Sequence, residues 1–115
     1  MTMPLPKFNP DMKAGDADAL IEQARQASDL LKALSHETRL LILCILSEGE
    51  KSVSELEEIL SMPQAAVSQQ LARLRFDRLV NTRREGRMIY YSVAGKEVSS
   101  VVETLYELFC RPVRN

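Results

Sequence analysis

Tryptophan is absent from this 115-residue chain, histidine occurs once and cysteine twice. One imidazole and two thiols, with no CxxC pair, fall short of an ordinary structural zinc site within one chain. Aromatic residues make up 5% and apolar residues 45%, a balance that suits an aliphatic, mainly helical domain. No apolar run approaches the ~18 residues of a membrane span; the best, residues 40–46, is core material. The first residues also lack the apolar stretch of a signal peptide. The expected location is therefore cytoplasmic, where thiols are normally reduced and a cysteine pair is free or switching rather than a structural staple. Net charge is nearly absent too, at -1. That average argues against a nucleic-acid partner, but the distribution of the charge points the other way.

Length and even composition suit one folded domain, residues 16–115, behind a flexible arm, residues 1–15, in which Pro4, Pro6, Pro10 and Gly15 leave little periodic pattern. From Asp16, Leu20, Ile21, Ala24, Ala27, Leu30, Leu31 and Leu34 recur at helical spacing. Ser35 is placed to cap a second helix, apolar on nearly every side over residues 40–46 and so expected to be buried on nearly every side. Glu48-Gly49-Glu50-Lys51 ends it. Ser52-Val53-Ser54-Glu55 has the form of a capping box and opens a short helix to about Leu60. Ser61-Met62-Pro63 is a turn, with Pro63 at or near the start of a helix from Gln64 to about Asp77. Two runs richer in β-branched and aromatic residues, 79–84 and 88–93, flank Glu85-Gly86-Arg87 as a hairpin. Val98, Val101, Val102, Leu105, Leu108 and Phe109 mark a last helix, expected to end near Cys110 ahead of Pro112. The fold class is therefore mainly α with a small β-hairpin wing: a winged helix-turn-helix.

With Val67, Leu71 and Leu74 inward, the helix after the turn offers Gln64, Ala65, Ser68, Gln69 and Arg73 outward, with Gln70 on one flank. Gln suits adenine, Ala can touch a thymine methyl, and Arg suits guanine or phosphate, which is the chemistry of major-groove readout. An ordinary solvated helix face looks the same, and the arginines separate the two. Residues 61–93 hold six arginines against two acidic residues, whereas the rest of the chain holds nine basic and fourteen acidic. Positive charge is gathered on the reading helix and wing, the footprint of phosphate contact. Arg84 and Arg87, beside the hairpin turn, are the expected wing contacts with double-stranded DNA.

Ala33-Leu34-Ser35-His36-Glu37-Thr38-Arg39-Leu40-Leu41-Ile42-Leu43, then Val67-Ser68-Gln69-Gln70-Leu71-Ala72-Arg73-Leu74-Arg75, Leu79-Val80 and Arg83-Arg84-Glu85-Gly86-Arg87-Met88-Ile89-Tyr90-Tyr91 resemble the ArsR family of bacterial repressors. The likeness covers about residues 20–110. It implies a winged-helix homodimer, paired through its first and last helices, that leaves an inverted-repeat operator when an inducer binds. The apolar first and last helices exceed what so small a core needs, which agrees with such pairing. Many members have His where Gln70 stands, so the resemblance does not carry over a base preference at that point.

Many members sense metals, and their ligands are missing here. Glu57 and Ile59 stand where arsenic- and cadmium-type sensors place thiolates, and the last helix offers Glu103 and Glu107 without an imidazole. His36 is given a structural role. Neither a metal nor another cofactor is expected. Cys44 in the second helix and Cys110 at the end of the last resemble the BigR/SqrR-type members, which respond to reactive sulfur species. That resemblance implies that a disulfide or longer sulfur bridge joins the two thiols of one protomer and releases the DNA, with sulfide-detoxification genes under control. Cys44, between Leu43 and Ile45, also suits simple packing; apolar surroundings should raise its pKa and leave Cys110, beside Arg111 and near Arg114, as the better first nucleophile. A peroxide-responsive repressor of the same fold is an alternative. So is a winged-helix interaction module with structural cysteines, though a module has no reason to collect six arginines. Neither thiol has an activating neighbour in sequence, so no enzyme activity is expected.

Overall fold

A computed structural model describes residues 13–114; of the arm expected over residues 1–15, residues 1–12 lie outside the described residues. The chain divides into two units, residues 1–32 and 33–115. The first holds most of α1, Ala14–Leu34. On α1 an exposed Glu22–Arg25 pair closes at 3.1 Å, while Ile21 and Leu31 stand open to solvent. Large aliphatic side chains in water leave that helix surface unfinished.

The second unit contains α2 (Glu37–Leu46), β1 (Lys51–Ser52), α3 (Val53–Leu60), α4 (Gln64–Phe76), β2 (Val80–Glu85), β3 (Met88–Val93) and α5 (Lys96–Leu105). A π-helical segment, Tyr106–Cys110, and α6, Arg111–Arg114, follow without a break. Its core is Ile42 and Leu43 of α2, Leu56 of α3, Val67, Leu71 and Leu74 of α4 and Val102 of α5, all without solvent exposure. Each such side chain contributes about 1.5–3 kcal/mol on burial, enough together to fix how the helices pack. A partly buried ion pair adds direction. Arg39 of α2 donates to the Ala33 carbonyl at 2.9 Å and to Asp77, just past α4, at 3.2 Å.

α2 starts later than its expected cap. His36, not Ser35, holds the N-cap position, in extended backbone and with no side-chain cap bond; its carbonyl accepts the Leu40 N–H at 2.8 Å. The helix is also less enclosed than its apolar run suggests. Leu41 is exposed and Ile45 half-buried, because that side of α2 faces a cavity instead of a packed neighbour.

α3 begins on the capping box read from sequence: Ser52 Oγ accepts the Glu55 N–H at 3.2 Å and Glu55 accepts the Ser52 N–H at 3.1 Å. Ser61 ends it in the left-handed region, φ 52°. Pro63 then stands at the N-cap of α4, where its missing N–H costs nothing and its carbonyl takes the Ala66 and Val67 N–H groups. The far end of α4 closes as a Schellman motif. The Leu79 N–H bonds the Leu74 carbonyl and the Arg78 N–H bonds that of Arg75, with Arg78 at φ 60° where glycine is usual.

A third strand joins the expected hairpin. The sheet order is β1-β3-β2, all antiparallel, with Lys51 opposite Tyr91 and Ser52 opposite Tyr90. The wing turn is tighter than the expected loop, because Glu85 pairs with Met88 and only Gly86 and Arg87 remain between the strands. Gly86, at φ 62°, supplies the positive φ such a turn needs at its first residue. The last helix does not stop before Pro112; it continues to Arg114. A proline ring normally clashes with the carbonyl four residues back. Here that residue is Leu108, inside the π segment, whose wider turn moves the carbonyl aside.

Candidate nucleic-acid interface and dithiol cavity

The inward stripe of α4 is complete, and it decides what points out. Gln64, Ala65, Ser68, Gln69 and Arg73 are exposed and Gln70 is half-buried, the arrangement expected from the spacing. Gln69, Gln70 and Arg73 border a shallow cleft with Arg39, Ala72, Phe76 and Asp77. The Arg39–Asp77 pair thus holds the end of the reading helix to α2. Only Arg39 Nε lacks a partner among the buried polar side-chain atoms of the described residues.

On the wing, Arg84 and Arg87 are exposed. Arg83 is spoken for. It contacts Glu50 at 2.6 and 3.2 Å and Glu85 at 2.6 Å, and its guanidinium lies 4.8 Å from the Tyr90 ring centre. The hydrogen bonds from Arg83 hold the Glu50 carboxyl below the usual carboxylate range. Glu50 sits outside the basic window counted from sequence and reaches the wing because β1 pairs with β3. The local positive surplus is therefore smaller than the linear count.

Cys44 and Cys110 meet. Both are free thiols, Cys44 buried on α2 and Cys110 half-buried at the end of the π segment, and they lie within reach of a side-chain hydrogen bond but not at bonding distance. Burial first, then that hydrogen bond and the charge of Cys110, pushes the Cys44 pKa up to about 12. Both thiols line a cavity of about 400 Å³ with Leu41, Ile45, Ile59, Leu60, Phe109 and Val113 as apolar wall. Its polar rim is Glu48 and Tyr106, the tyrosine hydroxyl donating to the carboxylate at 2.5 Å.

Two expectations about Cys110 change. The helix runs on past it, so it does not face an exposed helix C-terminus. Arg111, expected to attract a thiolate there, is turned to Glu107 at 2.6 and 2.7 Å and over the Tyr106 ring at 5.6 Å. That pair holds Glu107 below and Arg111 above their ordinary ranges. Glu107 is thus an ion-pair partner, and Glu103 an exposed helix residue. Among the described residues, no group of three or more His, Cys, Asp or Glu is arranged to hold a metal ion.

The family model for bacterial regulatory proteins of the arsR family matches residues 36–82. The chain is 42% identical over 97 residues to the biofilm growth-associated repressor of Agrobacterium fabrum, covering 84% of this chain and 83% of that protein. This chain belongs to the ArsR family. Another ArsR relative, the transcriptional activator HlyU of Vibrio cholerae, is 44% identical over 78% of this chain and 83% of its own length. The crystal structure of the transcriptional repressor BigR from Xylella fastidiosa matches with a TM-score of 0.77 at 38% identity, over 84% of this chain and 95% of that one. As a member of the ArsR family the chain is a DNA-binding transcriptional regulator and not an enzyme. No helix among the described residues is long and apolar enough to cross a membrane.

Sequence reasoning missed Glu48, Tyr106, Arg39 with Asp77, and Glu50 with Arg83. A signal for the first two was present. Glu48 follows Cys44, and Cys110 follows Tyr106, by four positions, the spacing that puts two side chains on one helix face.

Proposed function

We propose that this protein is a cytoplasmic homodimeric repressor that leaves its operator when reactive sulfur species join Cys44 to Cys110. The observation that carries the reading is the meeting of two thiols, remote in sequence, in one cavity of one chain. The two thiols are unbonded neighbours, and the unfilled cavity between them leaves room for the movement that closure requires. A direct disulfide needs Cα atoms about 4.4–6.8 Å apart, and added sulfur atoms span a wider gap. Closure ties α2 to the segment after α5 and so biases the spacing of two reading helices in a dimer. Coupling of this kind is typically about 1–3 kcal/mol.

The dimer is assigned to the first and last helices. Ile21 and Leu31 of α1, and Leu108, Phe109 and Val113 beyond α5, are exposed apolar residues that a second copy can cover. Two copies of α4 about 34–36 Å apart then match an inverted repeat in successive major grooves. Gln64, Ala65, Ser68, Gln69, Gln70 and Arg73 meet bases and nearby phosphate, while Arg84 and Arg87 meet the backbone or the minor groove. Residues 16–115 form the working domain. Repression agrees with the names of two relatives, while HlyU is named an activator.

Fluorescence anisotropy on the promoter of the chain's own operon tests the reading. Sodium tetrasulfide should release the reduced wild type, and mass spectrometry should find an intramolecular Cys44–Cys110 bridge. Cys44→Ser and Cys110→Ser should each bind and each fail to release. A full response from either single variant, or crosslinks only between chains, overturns the mechanism. Release by hydrogen peroxide and not by tetrasulfide moves the trigger to peroxide.

A further inference from the structure

Cys44 poses a problem that the dithiol reading does not solve. A thiolate is the nucleophile in sulfur exchange, yet Cys44 sits in an apolar wall and keeps its proton far above neutral pH. Its proton must leave as it attacks, and hydroxide at pH 7 is scarce. The cavity supplies one carboxylate. Among the described residues lining it, Glu48 is the acidic side chain. Glu48 follows Cys44 by one helical turn, and the turn after α2 keeps near-helical backbone there, with the Glu48 N–H bonded to the Ile45 carbonyl. Across the cavity Tyr106 donates its hydroxyl to Glu48, and Tyr106 lies one helical turn before Cys110. Each thiol thus has one half of a hydrogen-bonded acid–phenol pair four residues away, Glu48 in the turn just past α2 and Tyr106 within the π segment.

We infer that the Glu48 carboxylate is the proton acceptor for Cys44 in closure of the dithiol, and that Tyr106 is a positioning residue that holds this carboxylate at the cavity rim. The inference rests on the dithiol reading above.

Closure takes two steps. The Cys110 thiolate attacks the outer sulfur of a persulfide or inorganic polysulfide; the donor's S–S bond breaks, its remainder leaves as a thiolate or shorter polysulfide, and Cys110 carries a persulfide. The Cys44 sulfur then attacks the Cys110 sulfur, its proton passes to Glu48, and the persulfide S–S bond breaks. The outer sulfur leaves as hydrosulfide and collects the proton from Glu48 as hydrogen sulfide. Over the two steps each cysteine sulfur loses one electron; the donor's remainder gains one in the first step and the departing sulfur gains one in the second. A longer bridge changes which sulfur Cys44 attacks but not the need to remove its proton. The other charged or titratable groups near the path are Cys110, Tyr106, and Arg111 already paired with Glu107. The α3 side of the cavity contributes only Ile59 and Leu60.

The test uses the full chain with sodium tetrasulfide, following bridge formation by acid quench and mass spectrometry between pH 6 and 10. A positioned base typically contributes about 10²–10⁴ in rate, so Glu48→Gln should close about a hundredfold more slowly at pH 7, with the gap narrowing as hydroxide takes over. Glu48→Asp should recover part of the rate, and Tyr106→Phe should show a smaller slowing with the same pH signature. In a Cys44→Ser background, Cys110 should take up sulfur equally fast with and without Glu48→Gln, which places the effect in the second step. Closure by Glu48→Gln within threefold of wild type at pH 7, or an equal slowing at every pH, overturns the assignment. Should Glu48→Gln fail to bind the operator when reduced, Tyr106→Phe decides alone: a flat pH ratio to wild type overturns the proposal. If the wild type forms no bridge, the dithiol reading itself falls.

Discussion

Helix α4 leaves Val67, Leu71 and Leu74 no solvent at all, closes its end on Asp77, Arg78 and Leu79, and turns polar side chains outward. Around Cys44 and Cys110 the opposite holds: Leu41, Ile59, Phe109 and Val113 line the cavity and stay exposed. The difference follows from what each region has to do. A surface that reads bases needs one shape, which complete packing provides. A site that changes when two thiols join needs packing left incomplete, since a filled core would resist the movement.

The contrast is sharpest at the thiols, and pulse alkylation of the reduced protein can break it. A shift from 9.0 to about 12 leaves on the order of a thousandfold less thiolate at pH 7, so Cys44 should label far more slowly than a free cysteine. Its rate should climb about tenfold per pH unit through pH 9–11, without the plateau an ordinary thiol reaches. The folded state holds this proton more tightly than the unfolded chain. The contribution to stability is therefore fully present below about pH 9 and is lost as pH rises toward about 12. A labelling plateau near pH 8 would put Cys44 in open solvent and erase the distinction between the two regions.

Asp77→Ala tests whether the reading helix is as fixed as it looks. It strands the Arg39 guanidinium, 7% exposed, without its carboxylate. The cost in urea unfolding should be about 2–3 kcal/mol, below that of a fully enclosed pair because Asp77 is partly open. An unchanged urea midpoint would mean that packing alone holds α4.

Within the reading region, Gln69→Ala should cost about 1–3 kcal/mol in operator affinity and relax preference at particular base pairs. Arg87→Ala should weaken all sequences alike and lower the salt slope by roughly one counterion. Competition binding against a set of single-base operator variants separates these outcomes; identical sequence dependence in both would abolish the division between α4 and the wing. The smallest effect belongs to Glu50→Gln, which frees Arg83 on the wing. Exposed pairs contribute little, so stability should hold while operator affinity rises less than about threefold at low salt. A fall in affinity would show that Arg83 serves the wing only when held by Glu50.

Local order was legible in the residues alone. The Ser52–Glu55 capping box, the inward triad of α4 and its exposed partners depend on hydrogen bonds and periodicities that span three or four positions, and each is present. The wing was legible for the same reason, since β-branched runs around Gly86 carry their own turn. Only the tertiary structure decided the rest. β1 is two residues long, too short for any period, and it exists because β3 offers it a free edge. Through β1, Glu50 reaches Arg83 across 33 positions and removes a cation from the count. Pro112 stays inside a helix because the π segment ahead of it widens the turn. Family resemblance, not spacing, paired Cys44 with Cys110; four-residue spacing ties Glu48 to Cys44 and Tyr106 to Cys110, but no local rule brings the two pairs into one cavity. Such meetings are set by how α2 packs against α5 and its extension, and packing joins residues that the chain keeps far apart.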